Sequence, residues 1–128
     1  MKTVLALTLA ALCLGCGYGT SKSNTPPTAG TMPNISGLAP NNVNANSAPF
    51  VLTVNGTSFN SNAQVKWNGT AQTTTFVTGN QLTINVPASM VMTAGTATIT
   101  VTNPAVAGGI YGGGTLAETS NQMTFTIN

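Results

Sequence analysis

Few side chains in this 128-residue sequence could take part in chemistry. Its charged residues are Lys2, Lys22, Lys66 and Glu118, and it has no Arg, Asp or His. Acid–base catalysis needs a positioned pair of titratable groups and a Ser–His–Asp triad needs histidine, so only a Ser–Lys dyad is formally possible. A single carboxylate cannot supply the several oxygen ligands of a calcium site. We therefore predict a non-catalytic protein without a metal site or a cofactor.

The two cysteines, Cys13 and Cys16, have Cys-x-x-Cys spacing and allow four interpretations. A redox motif of this kind opens a helix beside a βαβ unit, which does not follow here, and a zinc site needs two further Cys or His ligands. A disulfide between them would lie inside an export signal. Lys2 is followed by an apolar stretch from Thr3 to Leu14 that is too short to span a bilayer. The fourth interpretation is attachment of a lipid.

The junction Leu14-Gly15-Cys16 resembles the end of the bacterial lipoprotein signal, which is cut just before an invariant cysteine. By this resemblance, Cys16 becomes the mature N-terminus and carries the acyl chains. Cys13 departs from the pattern, in which leucine is usual, and ordinary cleavage after Gly17 is the alternative. We predict a signal peptide at residues 1–15 and an exported, membrane-anchored lipoprotein of the cell envelope, at the outer membrane or the cell surface.

Residues 16–33 follow the signal and are rich in Gly, Ser, Thr and Pro. This composition, without a hydrophobic period, is typical of a flexible tether, which would span roughly 20–25 Å as a coil. The net charge of the whole chain is only +2, too small for the counterion release that drives nucleic-acid binding. We therefore expect the partners to be the membrane, through the lipid anchor, and an unidentified envelope protein or polysaccharide, with no nucleic acid.

From Ile35 onward, apolar and polar residues alternate in short runs separated by turn residues, which is typical of half-buried strands. Asn68-Gly69 is a strong signal for a type I′ hairpin, with Thr73–Val77 as the return strand. Ala88–Thr93 could form one helical turn. The pattern predicts an all-β, antiparallel β-sandwich with seven strands. They are Ile35–Leu38, Phe50–Val54 (ended by Asn55-Gly56), Val65–Trp67, Thr73–Val77, Leu82–Val86, Ala97–Thr102 and Met123–Ile127.

One face of these strands is apolar and is predicted to form the core. Trp67 shares the inward parity of Val65, so we assign it to the core rather than to a sugar-stacking surface, and its neighbour Lys66 is expected to point to solvent. The predicted inward residues are Ile35, Leu38, Phe50, Leu52, Val54, Phe59, Val65, Trp67, Phe76, Leu82, Ile84, Val86, Ala97, Ile99, Val101, Met123, Phe125 and Ile127.

Six segments, in order, resemble the IPT/TIG immunoglobulin-like domain: PNISGLAPNN, LTVNGTSF, VKWNG, QLTINVP, GTATITVTNP and SNQMTFTI. The resemblance implies a seven-stranded immunoglobulin-like β-sandwich at residues 34–128 that serves as a binding or structural module. Domains of this family occur in surface receptors and adhesins, as accessory modules of polysaccharide-active enzymes, and as dimerisation domains. The family pattern maps to Pro40, Gly56, Phe59, Asn68-Gly69 and Pro87 of this sequence.

The stretch Asn103–Asn121 is longer than a plain hairpin needs and holds five glycines together with Ile110, Tyr111 and Leu116. Loops of this length in compact domains are usually functional or disordered. Two hypotheses stay open: a contact surface built on Ile110, Tyr111 and Leu116, or a mobile spacer. The sequence thus predicts a lipid-anchored module that mediates protein–protein or surface interactions, with carbohydrate binding as the alternative.

Overall fold

The computed structural model describes residues 26–110 and 112–128. The signal peptide predicted at residues 1–15, Cys16 and Tyr111 lie outside this part of the chain. The strands are β1 (Asn34–Ala39), β2 (Asn42–Val43), β3 (Phe50–Thr57), β4 (Gln64–Trp67), β5 (Thr70–Ala71), β6 (Thr74–Thr78), β7 (Gln81–Val86), β8 (Gly95–Asn103), β9 (Val106–Gly109), β10 (Gly112–Thr115), β11 (Glu118–Thr119) and β12 (Met123–Ile127). A short 3-10 helix, Ala88–Val91, joins β7 to β8.

The strands form two main sheets. The first has the order β1-β3-β7-β6, and the second has the order β2-β12-β8-β4-β5, with β11 also paired to β8. All pairings between strands are antiparallel except that of β2 with β12. This arrangement confirms the prediction of an all-β, immunoglobulin-like sandwich. The seven predicted strands correspond to β1, β3, β4, β6, β7, β8 and β12, and the other five are short additions.

The core lies between the two sheets and is centred on Phe125, which is fully buried. Its ring is stacked on Phe50 with a centroid distance of 5.8 Å and is tilted against Trp67 at 5.2 Å. Trp67 is only 6% exposed, so its assignment to the core is confirmed. The rest of the predicted inward set is buried or half-buried, with one exception, and Val91 of the 3-10 helix joins it.

The exception is Phe76, which is 39% exposed, so its assignment to the core is wrong. Its backbone pairs with that of the buried Leu82, which places the side chain on the inward face of β6. However, β6 is an edge strand and pairs only with β7. The inward face of an edge strand is covered from one side only, and the ring therefore remains partly in solvent.

The hairpin at Asn68-Gly69 is confirmed, because both residues have positive φ, 50° and 85°, as a type I′ turn requires. The return strand was predicted wrongly: it is β5, Thr70–Ala71, and the chain then crosses to the first sheet as β6. Thr74 stabilises this connection between the two sheets, because its hydroxyl accepts a hydrogen bond from the amide of Val65 in β4 at 2.9 Å.

Strand β3 does not end at Asn55-Gly56 but continues through Gly56 to Thr57. A side chain at Gly56 would overlap the carbonyl oxygen of Asn34 in β1, and its Cβ would lie 2.6 Å from the ring of Phe59. Glycine at this position therefore allows the neighbouring strand and the Phe59 ring to pack directly on β3.

Candidate functional site

The segment between β8 and β12 contains a second β-hairpin, whose two strands form a small sheet separate from the two main sheets. Its strands β9 and β10 pair with Gly109 opposite Gly112 and Val106 opposite Thr115. We call residues 106–115 the glycine hairpin. After it, the chain returns to the second sheet, where β11 pairs with the end of β8.

The glycines of this hairpin are required by its geometry. Residues 112–114 have φ of 90°, 89° and 87°, a region that side-chain-bearing residues rarely adopt. A Cβ at Gly114 would also overlap the carbonyl oxygen of Val106, and one at Gly108 would overlap the backbone of Gly112. The glycine-rich composition, which suggested an irregular loop, therefore allows the backbones of β9 and β10 to pair unusually closely.

The structure separates the two described residues of the predicted contact loop. Ile110 lies at the hairpin tip and is 90% exposed, whereas Leu116 follows β10 at the hairpin base and is half exposed. Four residues of β10 lie between them, which corresponds to roughly 15 Å. The two side chains thus do not form one compact patch. Tyr111, the third predicted residue, lies outside the described part of the chain.

The end of the predicted tether is attached to the base of this hairpin. The amide of Thr28 donates to the carbonyl of Gly114 at 3.1 Å, and the amide of Leu116 donates to the carbonyl of Thr28 at 2.9 Å. Thr28 and Thr115 form a parallel bridge. A side chain at Gly30 would overlap the carbonyl oxygen of Leu116, so glycine is needed for this approach. Within the segment 16–33, the residues from Thr28 onward therefore pack on the domain.

Asn103 at the end of β8 joins three separate segments and is 1% exposed. Its amide nitrogen donates to the carbonyl of Thr31 at 2.7 Å and to that of Ser58 at 2.9 Å. Its carbonyl oxygen accepts from the amide of Asn60 at 3.0 Å. A buried polar side chain is tolerated when its donors and acceptors are satisfied, as they are here.

Asn121, just before β12, ties the second sheet to the first. Its side chain accepts a hydrogen bond from the amide of Ile35 at 2.7 Å and donates one to the carbonyl of the same residue at 3.0 Å. The side-chain amide of Asn121 thus makes the two hydrogen bonds with Ile35 that the backbone of a neighbouring strand would make with β1. Sequence reasoning did not identify Asn103 or Asn121, because asparagine is common in loops and their partners are far away in the chain.

Two shallow depressions lie on the sandwich itself. One, of about 670 Å³, is lined by Pro49, Phe50, Val51, Gln72, Thr73, Asn85, Val86 and Pro87. The other, of about 510 Å³, is lined by Lys66, Asn68, Gly69, Thr98, Thr100, Thr119 and Gln122 on the outer face of the second sheet. Lys66 is half-buried there, opposite in direction to the core residue Trp67, as predicted.

The described residues offer little for chemistry or for stacking on sugars. Within residues 26–110 and 112–128, no group of three or more His, Cys, Asp or Glu side chains could hold a metal ion. No helix in the same part of the chain is long and apolar enough to cross a membrane. Among the aromatic side chains described there, Phe76 alone is exposed.

Comparison with known proteins identifies the domain. A family model described as IPT/TIG domain matches residues 33–127. The match runs from the buried Pro33, just before β1, to the last residue of β12, and so covers the whole sandwich and the glycine hairpin. No curated protein and no solved structure gives a significant match.

Proposed function

Since the chain belongs to the IPT/TIG family, we propose that it is a lipid-anchored, non-catalytic module of the cell envelope that mediates protein or surface interactions. IPT/TIG domains are generally non-enzymatic, immunoglobulin-like modules that take part in protein interactions. The observation that carries the proposal is the combination of this domain with a short apolar stretch, Thr3 to Leu14, and the junction Leu14-Gly15-Cys16 ahead of it.

The small number of charged residues in the domain supports a role in interactions with other molecules. In the sequence from residue 26 onward, Lys66 and Glu118 are the only charged residues. A surface of uncharged threonine, asparagine and glutamine is inexpensive to desolvate compared with a charged one. Such a surface suits contacts with a protein or with another neutral surface, whereas it offers little electrostatic steering toward a charged partner.

Carbohydrate binding is less well supported than a protein or surface contact. A module that stacks on sugars needs an exposed aromatic face, and Trp67 is committed to the core beside Phe125. The exposed Phe76 stands alone on its edge strand in the described part of the chain. We therefore propose the glycine hairpin, with Ile110 at its tip and Leu116 at its base, as the contact element.

The anchor is tested by replacing each cysteine in turn in the full-length precursor. We expect Cys16→Ala to abolish incorporation of labelled fatty acid and to leave an uncut or released protein, because the acyl chains supply the membrane affinity. Cys13→Ala is the matched control and should fractionate with the membrane like the wild type. Unchanged mass and detergent-dependent fractionation of Cys16→Ala would overturn the lipid anchor.

The interaction role is tested by photo-cross-linking in the native envelope. Photoreactive residues in place of Ile110 and Leu116 probe the glycine hairpin, because both side chains are exposed. A photoreactive residue at Thr53, on β3 of the first sheet, is the control. We expect a discrete protein adduct from the hairpin and none from Thr53. The absence of an adduct from both hairpin positions would contradict the hairpin as the contact element.

A further inference from the structure

The depression of about 510 Å³ on the outer face of the second sheet, called here the lysine depression, contains the one lysine of the domain. From residue 26 onward, Lys66 is the only positively charged side chain in the sequence and Glu118 is the only acidic one. Lys66 lies in β4 opposite Thr100 of β8 and is half-buried. Its ammonium group is therefore the one cationic side chain that the domain can present to a ligand.

Glu118 does not neutralise this cation. It lies in β11 next to Thr119, whose side chain lines the depression. Neighbouring residues of a strand point to opposite faces of the sheet, so the side chain of Glu118 points away from the depression. Its Cγ lies against the segment ahead of β1, 3.1 Å from the position of a Cβ at Gly30. Within residues 26–110 and 112–128, Lys66 thus has no carboxylate side chain as a partner.

The side chains around Lys66 present free hydrogen-bond donors. Asn68 accepts the amide of Thr98 through its side-chain oxygen at 2.8 Å, which leaves its NH₂ group for a ligand. Gln122, just before β12, flanks Thr100 on the side opposite to Lys66. The hydroxyls of Thr98 and Thr100 and the side-chain amide of Gln122 make no hydrogen bond to another described residue. The depression thus combines one cation with several unused neutral donors.

One ammonium group among hydroxyls and amides fits a ligand that carries a negative charge on a hydroxylated body. The ammonium and the amide NH₂ groups can donate to a carboxylate, and charge-assisted bonds of this kind are about twice as strong as neutral ones. The threonine hydroxyls both donate and accept, so they match the hydroxyls of a sugar. The seven described residues that line the depression include no aromatic and no large apolar side chain, which are the usual anchors of a protein partner. These features favour an acidic saccharide over a peptide.

We propose that the lysine depression is a second binding site, which takes the carboxylate of an acidic sugar such as a uronic acid in a polysaccharide. Lys66 and Asn68 bind the carboxylate, and Thr98, Thr100 and Gln122 bind the sugar hydroxyls. This recognition uses charge and hydrogen bonds, so it does not need the exposed aromatic face on which neutral sugars stack. It goes beyond the proposed contact of the glycine hairpin and does not depend on the lipid anchor.

Titration of the full-length protein in detergent with oligogalacturonate tests the site. We expect binding that weakens as the salt concentration rises, because it depends on a partly exposed pair of opposite charges. The amide resonances of Thr98 and Thr100 should shift in NMR spectra, whereas that of Thr53 on the first sheet should not. A neutral galactose oligomer of equal length should bind at least about tenfold more weakly, because it lacks the charge-assisted bonds.

Substitutions assign the binding to the depression. Lys66→Gln should lower the affinity for oligogalacturonate at least about tenfold, and Lys66→Arg should retain most of it because the positive charge is kept. Lys22→Gln removes the same charge from the segment ahead of the domain, so it is the matched control and should bind like the wild type. Thr100→Val removes one hydroxyl from the depression at nearly constant shape and should lower the affinity about threefold or more.

Three results would overturn the inference. They are a wild-type protein that does not bind oligogalacturonate, an affinity that Lys66→Gln and Thr100→Val leave unchanged, and equal affinity for the neutral oligomer. Binding of a polyglutamate peptide of the same length as tightly as the saccharide would identify a site for acidic proteins, and would also overturn it. The titration needs no membrane, so a failure of the lipid anchor would leave its outcome unchanged.

Discussion

Replacing Asn103 by alanine should destabilise the domain by about 3 kcal/mol. The substitution leaves the carbonyls of Thr31 and Ser58 without their donor and the amide of Asn60 without its acceptor. Each unsatisfied buried group costs about 1–3 kcal/mol, and the lower end applies here because these hydrogen bonds are only partly buried. For a domain of this size, such a loss lowers the melting temperature by about 10–20 °C.

Thermal and urea unfolding of the protein measure this effect, and the exposed Asn85→Ala on β7 is the matched control. Hydrogen exchange gives a local readout, since the Asn60 amide should lose its protection in the Asn103→Ala variant. A melting temperature equal to that of the control, with the Asn60 amide still protected, would refute the reasoning.

The nearly isosteric Asn103→Asp variant adds a dependence on pH. It removes both donors and places a carboxyl in a buried position, and burial raises the pKa of a carboxyl because the charged form is desolvated. The native state therefore holds the proton more strongly than the unfolded state does. The variant should be least stable at neutral pH and should recover stability as the pH falls toward about 4. A flat pH profile relative to wild type would contradict the burial of this position.

Two further substitutions probe the core and the hairpin. Trp67→Ala should cost about 3–5 kcal/mol in urea unfolding, as large-to-small core substitutions do, and a wild-type unfolding curve would show that the core assignment is wrong. Gly114→Ala should remove amide protection from the glycine hairpin while the main sheets keep theirs, because the methyl group meets the Val106 carbonyl and the residue has φ of 87°. Gly109→Ala, where a Cβ has open space, is the control, and equal protection in both variants would refute the steric argument.

Alternation of apolar and polar residues predicted the strands well because each strand of the sandwich has one buried face. Thus Leu82–Val86 and Met123–Ile127 lie within β7 and β12, and the positive φ of Asn68-Gly69 follows from turn chemistry alone. The assignment of Thr73–Val77 as a return strand failed because the alternation of a strand does not specify which sheet it joins.

The contacts at the end of β8 and in the segment that follows it were less predictable, since several of them join residues that are distant in sequence. Asn103 bonds to a residue 72 positions earlier and to another 45 positions earlier, so no local pattern marks it. The five glycines were identified, but their role in close backbone pairing depends on residues on both strands of the hairpin. The docking of Thr28 on the hairpin was missed because a Gly/Ser/Thr/Pro-rich composition indicates a tether. Composition alone carries no information about a strand edge that the fold places beside such a segment.

The contacts ahead of β1 also determine how the domain responds to tension. A pull on the N-terminal end reaches the hydrogen bonds between Thr28 and the hairpin first. It next reaches the bond from Asn103 to Thr31, and only then the paired bonds between Asn121 and β1. Bonds arranged in series break one at a time, at low force, and each can re-form when the force falls. Tension on the N-terminal segment therefore opens a few hydrogen bonds and lengthens the connection before it reaches the strand pairings of the sandwich.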